Sequence, residues 1–168
     1  MNYLNMKDED LLKVVVELNI LLADYHIYYQ KLRSNHLNVL GKNFFDLHLK
    51  FEELYTDARL KIDEIAERIL TLLYHPMSKL EDYLKVSSII EDVPLKSDED
   101  MIIETLKDHK KLLSQMSKVV AIANSVSDEG TVDLIGAYIR ELEKYSWMLN
   151  AWSKDTTASL KENVVEMS

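Results

Sequence analysis

Apolar side chains recur every three or four positions along most of the chain, which is the period of an amphipathic helix. Five segments show this pattern without an interior Pro: 8–36, 43–73, 78–88, 98–125 and 129–152. The sequence therefore predicts four long helices and one short helix between the second and the third of them. The remaining stretch, 153–168, is polar and small, and we expect it to be a mobile tail.

Polar residues at three of these helix starts predict side-chain caps. Asn43 and Ser78 are each followed three residues later by an acidic residue, in the manner of a capping box. Ser97 precedes three consecutive acidic residues, whose negative charge suits the first turn of a helix. We expect all three side chains to cap their helices.

The connections decide how the helices pack. With 3 Gly and 2 Pro, the chain lacks the turn residues that many short strands need, so the fold is predicted to be all-α. Short turns make neighbouring helices antiparallel, whereas the long second connection carries the chain back along the bundle. The sequence therefore predicts one domain, a ferritin-like four-helix bundle with a short extra helix in the long crossover.

Composition excludes several functions. The chain has no Cys, so disulfides, thiol nucleophiles and Cys-based zinc sites are ruled out. It shows no signal peptide and no apolar run of the ~18 residues needed to span a bilayer, so we expect a cytoplasmic protein with no membrane partner. The formal charge of -9 disfavours binding to DNA or to anionic lipid.

Histidine and acidic residues of the second helix form a stripe. His48 and Glu52 are spaced i, i+4, as are Asp63 and Glu67, and all four fall within a ~100° arc. His48 and Asp63 are nevertheless roughly 22 Å apart along the helix axis, too far for one metal site. A second copy placed antiparallel across a two-fold axis brings position 48 opposite 67, and 52 opposite 63. On spacing alone, two solvated polar pairs are the favoured explanation of the stripe.

His36 adds a second imidazole at the same end of the first helical hairpin. Two His and three carboxylates make a mixed nitrogen and oxygen shell that suits Fe(II), with Zn(II) or Mn(II) as competitors. The di-iron sites inside other bundles use Glu-x-x-His, and none of the five His here has a Glu three residues before it. A ferritin with a site inside each bundle is therefore disfavoured. His26, His75 and His109 are interpreted as ordinary surface or partly packed residues.

The motifs around these residues carry a resemblance to a known family. Five segments resemble the signature of the Dps family, the DNA-binding proteins from starved cells: 36–48, 51–55, 63–68, 143–144 and 147–149. The resemblance implies a hollow dodecamer in which Fe(II) is oxidised, preferentially by hydrogen peroxide, and stored as ferric mineral. By motif position the ferroxidase sites at two-fold interfaces would take His36, His48 and Glu52 from one subunit, and Asp63 and Glu67 from its mate.

The chain departs from the family pattern at Leu37, at Leu73 and Tyr74, where the family usually has Gly-Gly, and at the N-terminus. Leu37 stands where the family usually has Trp, a residue thought to intercept stray oxidising equivalents; Tyr28, Tyr29 and Tyr55 are candidates to replace it. The DNA-binding members use a mobile Lys-rich tail, whereas the first ten residues here hold one Lys and three acids. Because DNA affinity comes from neutralising phosphates, no DNA-binding residue is assigned and we expect no appreciable DNA binding.

Acidic residues at the start of the last helix suggest an entry path for iron. In the resembled family this region surrounds a three-fold channel, and Asp128, Glu129 and Asp133 would attract Fe(II) there. Negative charge at a helix N-terminus is a simpler explanation. Glu53 and Asp57, beside the stripe, are candidates for mineral nucleation.

Two functional hypotheses follow. The first is an iron-storage and detoxification enzyme, a ferroxidase that uses peroxide or oxygen. The second is a non-enzymatic helical oligomer that acts as a binding or nucleoid-associated module and uses the second helix only for assembly. Iron-dependent turnover that is lost on a ligand change preserving the oligomer distinguishes them.

Overall fold

The computed structural model describes residues 2–154, and the described part of the chain is helical with no strand. Its five helices are α1 (Asp8–Asn38), α2 (Phe44–Thr71), α3 (Leu80–Val86), α4 (Asp98–Ser125) and α5 (Glu129–Trp152). The bounds of α4 and α5 coincide with those expected from the sequence, while α2 and α3 are shorter at both ends. The expected tail, 153–168, lies outside the described residues apart from Ser153 and Lys154.

The four long helices enclose one apolar core. α1 packs against α2, α4 and α3, and α5 packs against α4. This central position explains why α1 buries side chains on more than one face, including Leu18, Leu21 and Tyr25. Phe51 from α2 and Met116 from α4 complete the centre of the core. The all-α bundle with a long crossover is confirmed.

The α2–α5 seam, where these two helices face each other, is bridged by polar side chains. The ammonium of Lys61 is almost fully buried there and lies 2.6 Å from carboxylate oxygens of both Asp57 and Glu141. Further along, the Tyr138 hydroxyl donates to Glu64 at 2.6 Å. Lys61 also lies 5.1 Å from the Tyr138 ring centroid, so its positive charge contacts two carboxylates and one aromatic face.

The caps at the helix starts turn out differently from one another. The Ser97 hydroxyl accepts a hydrogen bond from Asp100 N at 3.1 Å, so the expected cap of α4 is confirmed. The caps expected from Asn43 and Ser78 are wrong. The Asn43 amide instead donates to Asp98 at 2.6 Å, and the Ser78 hydroxyl donates to the carbonyl of Pro76. Both side chains make contacts outside their own helices, and α3 begins only at Leu80.

The crossover is anchored to α1 by a buried carboxylate. Asp24, 0% exposed, accepts hydrogen bonds from the Ser87 hydroxyl at 2.9 Å and from Ser88 N at 2.7 Å. Burial raises the pKa of the Asp24 carboxyl above its ordinary value. These bonds fix the end of α3 against the bundle and leave the α2 stripe uncovered by the crossover.

Within residues 2–154, no helix is long and apolar enough to cross a membrane.

Candidate metal centre

His36 and His48 meet where α1 ends and α2 begins. Their imidazole rings are stacked, with centroids 3.7 Å apart and an angle of 18° between the planes. The Nδ1 atom of His36 bonds the carbonyl oxygen of His48 at 2.8 Å, and the Nδ1 atom of His48 bonds the carbonyl oxygen of His36 at the same distance. We call this reciprocal arrangement the histidine clasp.

The histidine clasp fixes the tautomer of both rings. A carbonyl oxygen only accepts hydrogen bonds, so each Nδ1 must carry the proton. In the neutral rings the two Nε2 atoms are then unprotonated, which is the state that binds a metal. A backbone acceptor on the other ring nitrogen also orients metal-ligating His side chains. The clasp therefore presents two oriented nitrogen ligands.

Three carboxylates lie on the exposed side of α2. Glu52 stands one helical turn after His48, and Asp63 and Glu67 follow towards the other end of the helix. None of the three forms an ion pair or a side-chain hydrogen bond with another described residue. Their negative charge is thus available to a cation.

The neighbouring acids on α2 are differently placed. Glu53 lies 2.6 Å from Lys50, and Asp57 is held by the buried Lys61. Each of these carboxylates, expected as a candidate for mineral nucleation, is therefore paired with an ammonium group of its own helix. The contrast separates Glu52, Asp63 and Glu67, which have no such partner among the described residues, from the paired Glu53 and Asp57.

One subunit does not complete a metal site by itself. Among the described residues no group of three or more His, Asp or Glu side chains is placed to hold one ion. The clasp and Glu52 lie at one end of α2, and Asp63 is roughly 16 Å further along the axis from Glu52. The five expected ligands converge only if a second copy supplies the missing carboxylates, and that arrangement stays a prediction.

Aromatic rings surround the histidine clasp. Phe44 stacks on His48 with centroids 4.8 Å apart, and Tyr55 meets the His36 ring edge-on at 5.2 Å. Tyr29 in turn packs edge-on against Tyr55 at 6.0 Å. Leu37 points away, with 68% of its surface exposed. Of the three Tyr candidates to replace the family Trp, Tyr55 thus lies directly beside the clasp. Phe44 was not expected there, because a Phe at the start of a helix is usually a core residue.

The other three His residues lie away from this centre. His75 is exposed, and the His26 ring stacks on Tyr83 with centroids 3.9 Å apart. The expectation that His109 is a surface or partly packed residue is wrong, since it is 1% exposed. Burial lowers the pKa of His109 to about 3. A lone His on an amphipathic helix gives no sequence signal of this environment.

The acids at the start of α5 divide into two kinds. Asp128 is 2% exposed, and its carboxylate accepts hydrogen bonds from Arg68 at 2.6 Å and from Thr131 N at 3.0 Å. It thus caps α5 and joins the helix to α2, instead of facing solvent as a channel residue would. Glu129 and Asp133 are exposed. The entry-channel interpretation is kept only for these two.

The helical bundle with its long crossover is the fold of a ferritin-like protein. The ferritin-like domain model matches residues 15–158. The chain belongs to the Dps family within that class, as its relatives show. DNA protection during starvation protein 2 of Bacillus anthracis is 41% identical over 83% of this chain and 96% of that protein. The corresponding protein of Brevibacillus brevis is 39% identical over 83% of this chain and 93% of its own length.

Solved structures agree with this assignment. The Dps protein of Vibrio cholerae O1, described as a ferritin-like diiron-carboxylate protein, superposes with a TM-score of 0.89 at 43% identity, covering 92% of this chain and 97% of that one. A Dps protein of Bacillus brevis gives a TM-score of 0.85 at 38% identity, covering 89% and 100%. Membership in a diiron-carboxylate family makes iron the metal to consider at the clasp.

Proposed function

We propose that this protein is a cytoplasmic iron-storage and detoxification protein that oxidises Fe(II) with hydrogen peroxide and keeps the ferric product inside a hollow oligomer, a dodecamer. The single observation that supports this most strongly is the histidine clasp, which leaves both Nε2 atoms ready for a metal. Removing Fe(II) and peroxide together prevents their one-electron reaction, which releases hydroxyl radical.

The proposed site is shared between two subunits. His36, His48 and Glu52 come from one subunit, and Asp63 and Glu67 come from an antiparallel α2 of its mate. The exposure of the three carboxylates and their lack of partners among the described residues support this ligand set. The mixed set of imidazole and carboxylate suits Fe(II), and it also admits Zn(II) or Mn(II) as competing ions.

The reaction at such a site balances when two Fe(II) ions act together. Each Fe(II) gives up one electron, and peroxide takes two electrons and two protons to become two molecules of water. The carboxylates offset the positive charge of the bound ions, which rises as they are oxidised. Oxygen is the alternative oxidant, and a comparison of initial rates with each oxidant decides between them.

Neighbouring residues of α2 allow a matched test. Glu52→Gln removes a proposed ligand, and Glu53→Gln changes the adjacent exposed acid that pairs with Lys50. Each purified oligomer is loaded anaerobically with Fe(II), and one peroxide is added for every two irons while ferric absorbance and spin-trapped hydroxyl radical are recorded. We expect Glu52→Gln to slow oxidation at least tenfold and to release radical, while Glu53→Gln behaves like the unchanged protein.

The opposite result supports the competing hypothesis. If the unchanged protein and both variants oxidise iron no faster than iron in buffer, the α2 stripe serves assembly alone, and a non-enzymatic helical oligomer is the better description. Size-exclusion chromatography of each variant confirms that the oligomer is preserved.

We further propose that Glu129 and Asp133 attract Fe(II) towards an entry channel. Both are exposed at the start of α5, and opposite charges concentrate at an acidic opening. Asp133→Asn should slow iron uptake at low ionic strength more than at high ionic strength, because salt screens the attraction. Equal rates for the variant and the unchanged protein at both salt concentrations would remove Asp133 from the path.

A further inference from the structure

The bundle contains a hydrogen-bonded tyrosine–histidine pair that the proposed iron site does not use. The Tyr28 hydroxyl of α1 lies 2.7 Å from Nε2 of His109 in α4. Both side chains are sealed from solvent, at 2% and 1% exposure. Among the described tyrosines, Tyr28 alone has its hydroxyl bonded to a histidine ring.

The rest of the hydrogen-bond chain fixes the direction of this bond. The Ser146 hydroxyl donates its only proton to the carbonyl of Leu142 at 2.7 Å. It must therefore accept the bond that joins it to His109 Nδ1 at 2.8 Å, so Nδ1 carries the ring proton. Nε2 is then an unprotonated acceptor, and Tyr28 donates to it. Burial keeps the ring neutral by lowering the pKa of His109 to about 3.

A buried phenol that donates its hydrogen bond to such an acceptor is easier to oxidise than a buried phenol without one. When a phenol loses an electron it becomes a far stronger acid than an imidazolium, so its proton must leave. A buried charge without a partner is costly, and a phenol with no acceptor therefore resists oxidation in a dry core. At Tyr28 the proton moves to His109 within the existing hydrogen bond, which removes this obstacle.

We propose that Tyr28 and His109 form an internal redox site, at which Tyr28 supplies one electron to a strong one-electron oxidant such as hydroxyl radical. The electron reduces the radical to hydroxide, which takes a proton from solvent to give water. The Tyr28 proton passes to His109 Nε2, leaving a neutral tyrosyl radical beside an imidazolium. A later one-electron reductant such as Fe(II) restores the phenolate oxygen, and the proton returns from His109.

Two other buried tyrosines make informative comparisons. Tyr25 lies one helical turn before Tyr28 and is equally buried, but its hydroxyl has no hydrogen-bond partner among the described residues. Tyr138 donates to the Glu64 carboxylate, which also accepts a proton. The Lys61 ammonium 5.1 Å from the Tyr138 ring centroid opposes loss of an electron from that ring. The geometry thus favours Tyr28 over both.

Tyr28 is also placed within reach of the proposed iron chemistry. It lies eight residues before His36 on the same helix, about 12 Å along the axis. The Tyr29 ring, on the residue after Tyr28, packs edge-on against Tyr55, whose ring in turn meets the His36 ring edge-on. The redox site does not depend on iron binding, however, so it is tested without iron.

The test uses the iron-free oligomer and a photogenerated oxidant. The protein is illuminated with a tris(bipyridine)ruthenium complex and persulfate, frozen within milliseconds, and measured by electron paramagnetic resonance. Four proteins are compared with the unchanged chain: Tyr28→Phe, the matched control Tyr25→Phe, Tyr138→Phe, and His109→Gln, in which an amide replaces the proton acceptor. Circular dichroism and size-exclusion chromatography confirm folding and assembly.

We expect a tyrosyl radical in the unchanged protein, in Tyr25→Phe and in Tyr138→Phe, and at least a fivefold weaker signal in Tyr28→Phe. His109→Gln should weaken the signal to a similar extent although Tyr28 is present, which a purely structural role of His109 does not predict. A signal that survives Tyr28→Phe and disappears in Tyr138→Phe or Tyr25→Phe overturns the proposal.

A measurement on the unchanged sequence tests the proposal even if one of the variants fails to fold. In protein labelled with 15N-histidine, the Tyr28 radical should show a nitrogen hyperfine coupling across its hydrogen bond to His109. A tyrosyl radical without that coupling resides elsewhere, and the proposal is then wrong.

Discussion

The buried carboxylate of Asp128 joins the start of α5 to Arg68 of α2, with 2.6 Å between Oδ1 and the guanidinium nitrogen. The same carboxylate accepts from Thr131 N and from the Thr131 hydroxyl, so it caps α5 while it pairs with α2. Two helices distant in sequence are thus held by one side chain. The Arg68 guanidinium lies close over Gly130, where a side chain would meet it.

Removing this carboxylate should destabilise the bundle. We expect Asp128→Ala to lower the free energy of unfolding by about 2–3 kcal/mol, because it removes an N-cap and leaves a partly buried guanidinium without its partner. Glu129→Ala, one residue later and exposed, should change it by no more than about 0.5 kcal/mol. Urea unfolding followed by circular dichroism measures both. Equal effects would contradict the structural role of Asp128.

The histidine clasp leads to a prediction about metal affinity. His48→Gln removes one nitrogen ligand and also the donor that bonds the His36 carbonyl. We expect affinity for Co(II), used as a spectroscopic substitute for Fe(II), to fall at least tenfold, by analogy with the 10–100-fold losses seen when supports of metal ligands are removed. His75→Gln, at an exposed position, should bind like the unchanged protein. Titration by absorbance distinguishes the two variants.

Buried His109 should make stability depend on pH. In the unfolded chain its imidazole takes up a proton below a pKa near 6.5, whereas in the fold the pKa is about 3. Between these values the unfolded state binds one more proton, so stability rises with pH and is lost as pH falls. The slope amounts to about 1.4 kcal/mol per pH unit.

His109→Gln should remove that contribution. Unfolding of both proteins at one fixed concentration from pH 6.5 to 4.5 gives the two slopes. We expect the unchanged protein to lose stability faster than the variant, with a difference in slope that grows from about 0.7 kcal/mol per pH unit at pH 6.5 to about 1.4 near pH 4.5, and parallel slopes would show that His109 is readily protonated in the fold.

The expected lack of DNA binding has a structural basis at the N-terminus. The Tyr3 hydroxyl donates to the Thr71 carbonyl at 2.9 Å, and the Asn2 amide donates to Asp8 at 2.8 Å. Residues 2–7 are therefore fastened to the bundle. With a net charge of -9, we expect no retardation of duplex DNA at micromolar protein and low salt. Retardation that disappears at higher salt would show that a positive patch overrides the net charge.

Sequence periodicity predicted the helices because the buried face of an amphipathic helix requires apolar residues at a regular spacing. The short turn predicted between the first two helices also placed His36 and His48 at the same end of one hairpin. The hydrogen bonds of the clasp to backbone carbonyls could not be predicted from the sequence, because they depend on how far α1 and α2 are shifted along each other. The inward turn of Asp128 was missed for a related reason, because its partner Arg68 lies 60 residues away.

The Asn43 cap failed for the same reason. A local motif predicts a local bond, yet the side chain bonds Asp98 across 55 residues of sequence. His109 shows the same limit: its hydrogen-bond partners, Tyr28 and Ser146, belong to α1 and α5, so the sequence of its own helix does not reveal them. Local sequence signals are thus reliable for features that a single helix determines, and they fail where a residue distant in sequence competes for the same side chain.

The histidine clasp has a consequence for how this hairpin tolerates change. Each imidazole is tied to the backbone of the other helix, so residues 39–43 do not hold the ligands in place. The turn has fixed points of its own, because Val39 is 1% exposed, Gly41 has a φ of 96° that suits glycine, and the Asn43 amide donates to Asp98. Substitutions at the exposed positions Leu40 and Lys42 should therefore leave the two imidazoles in place.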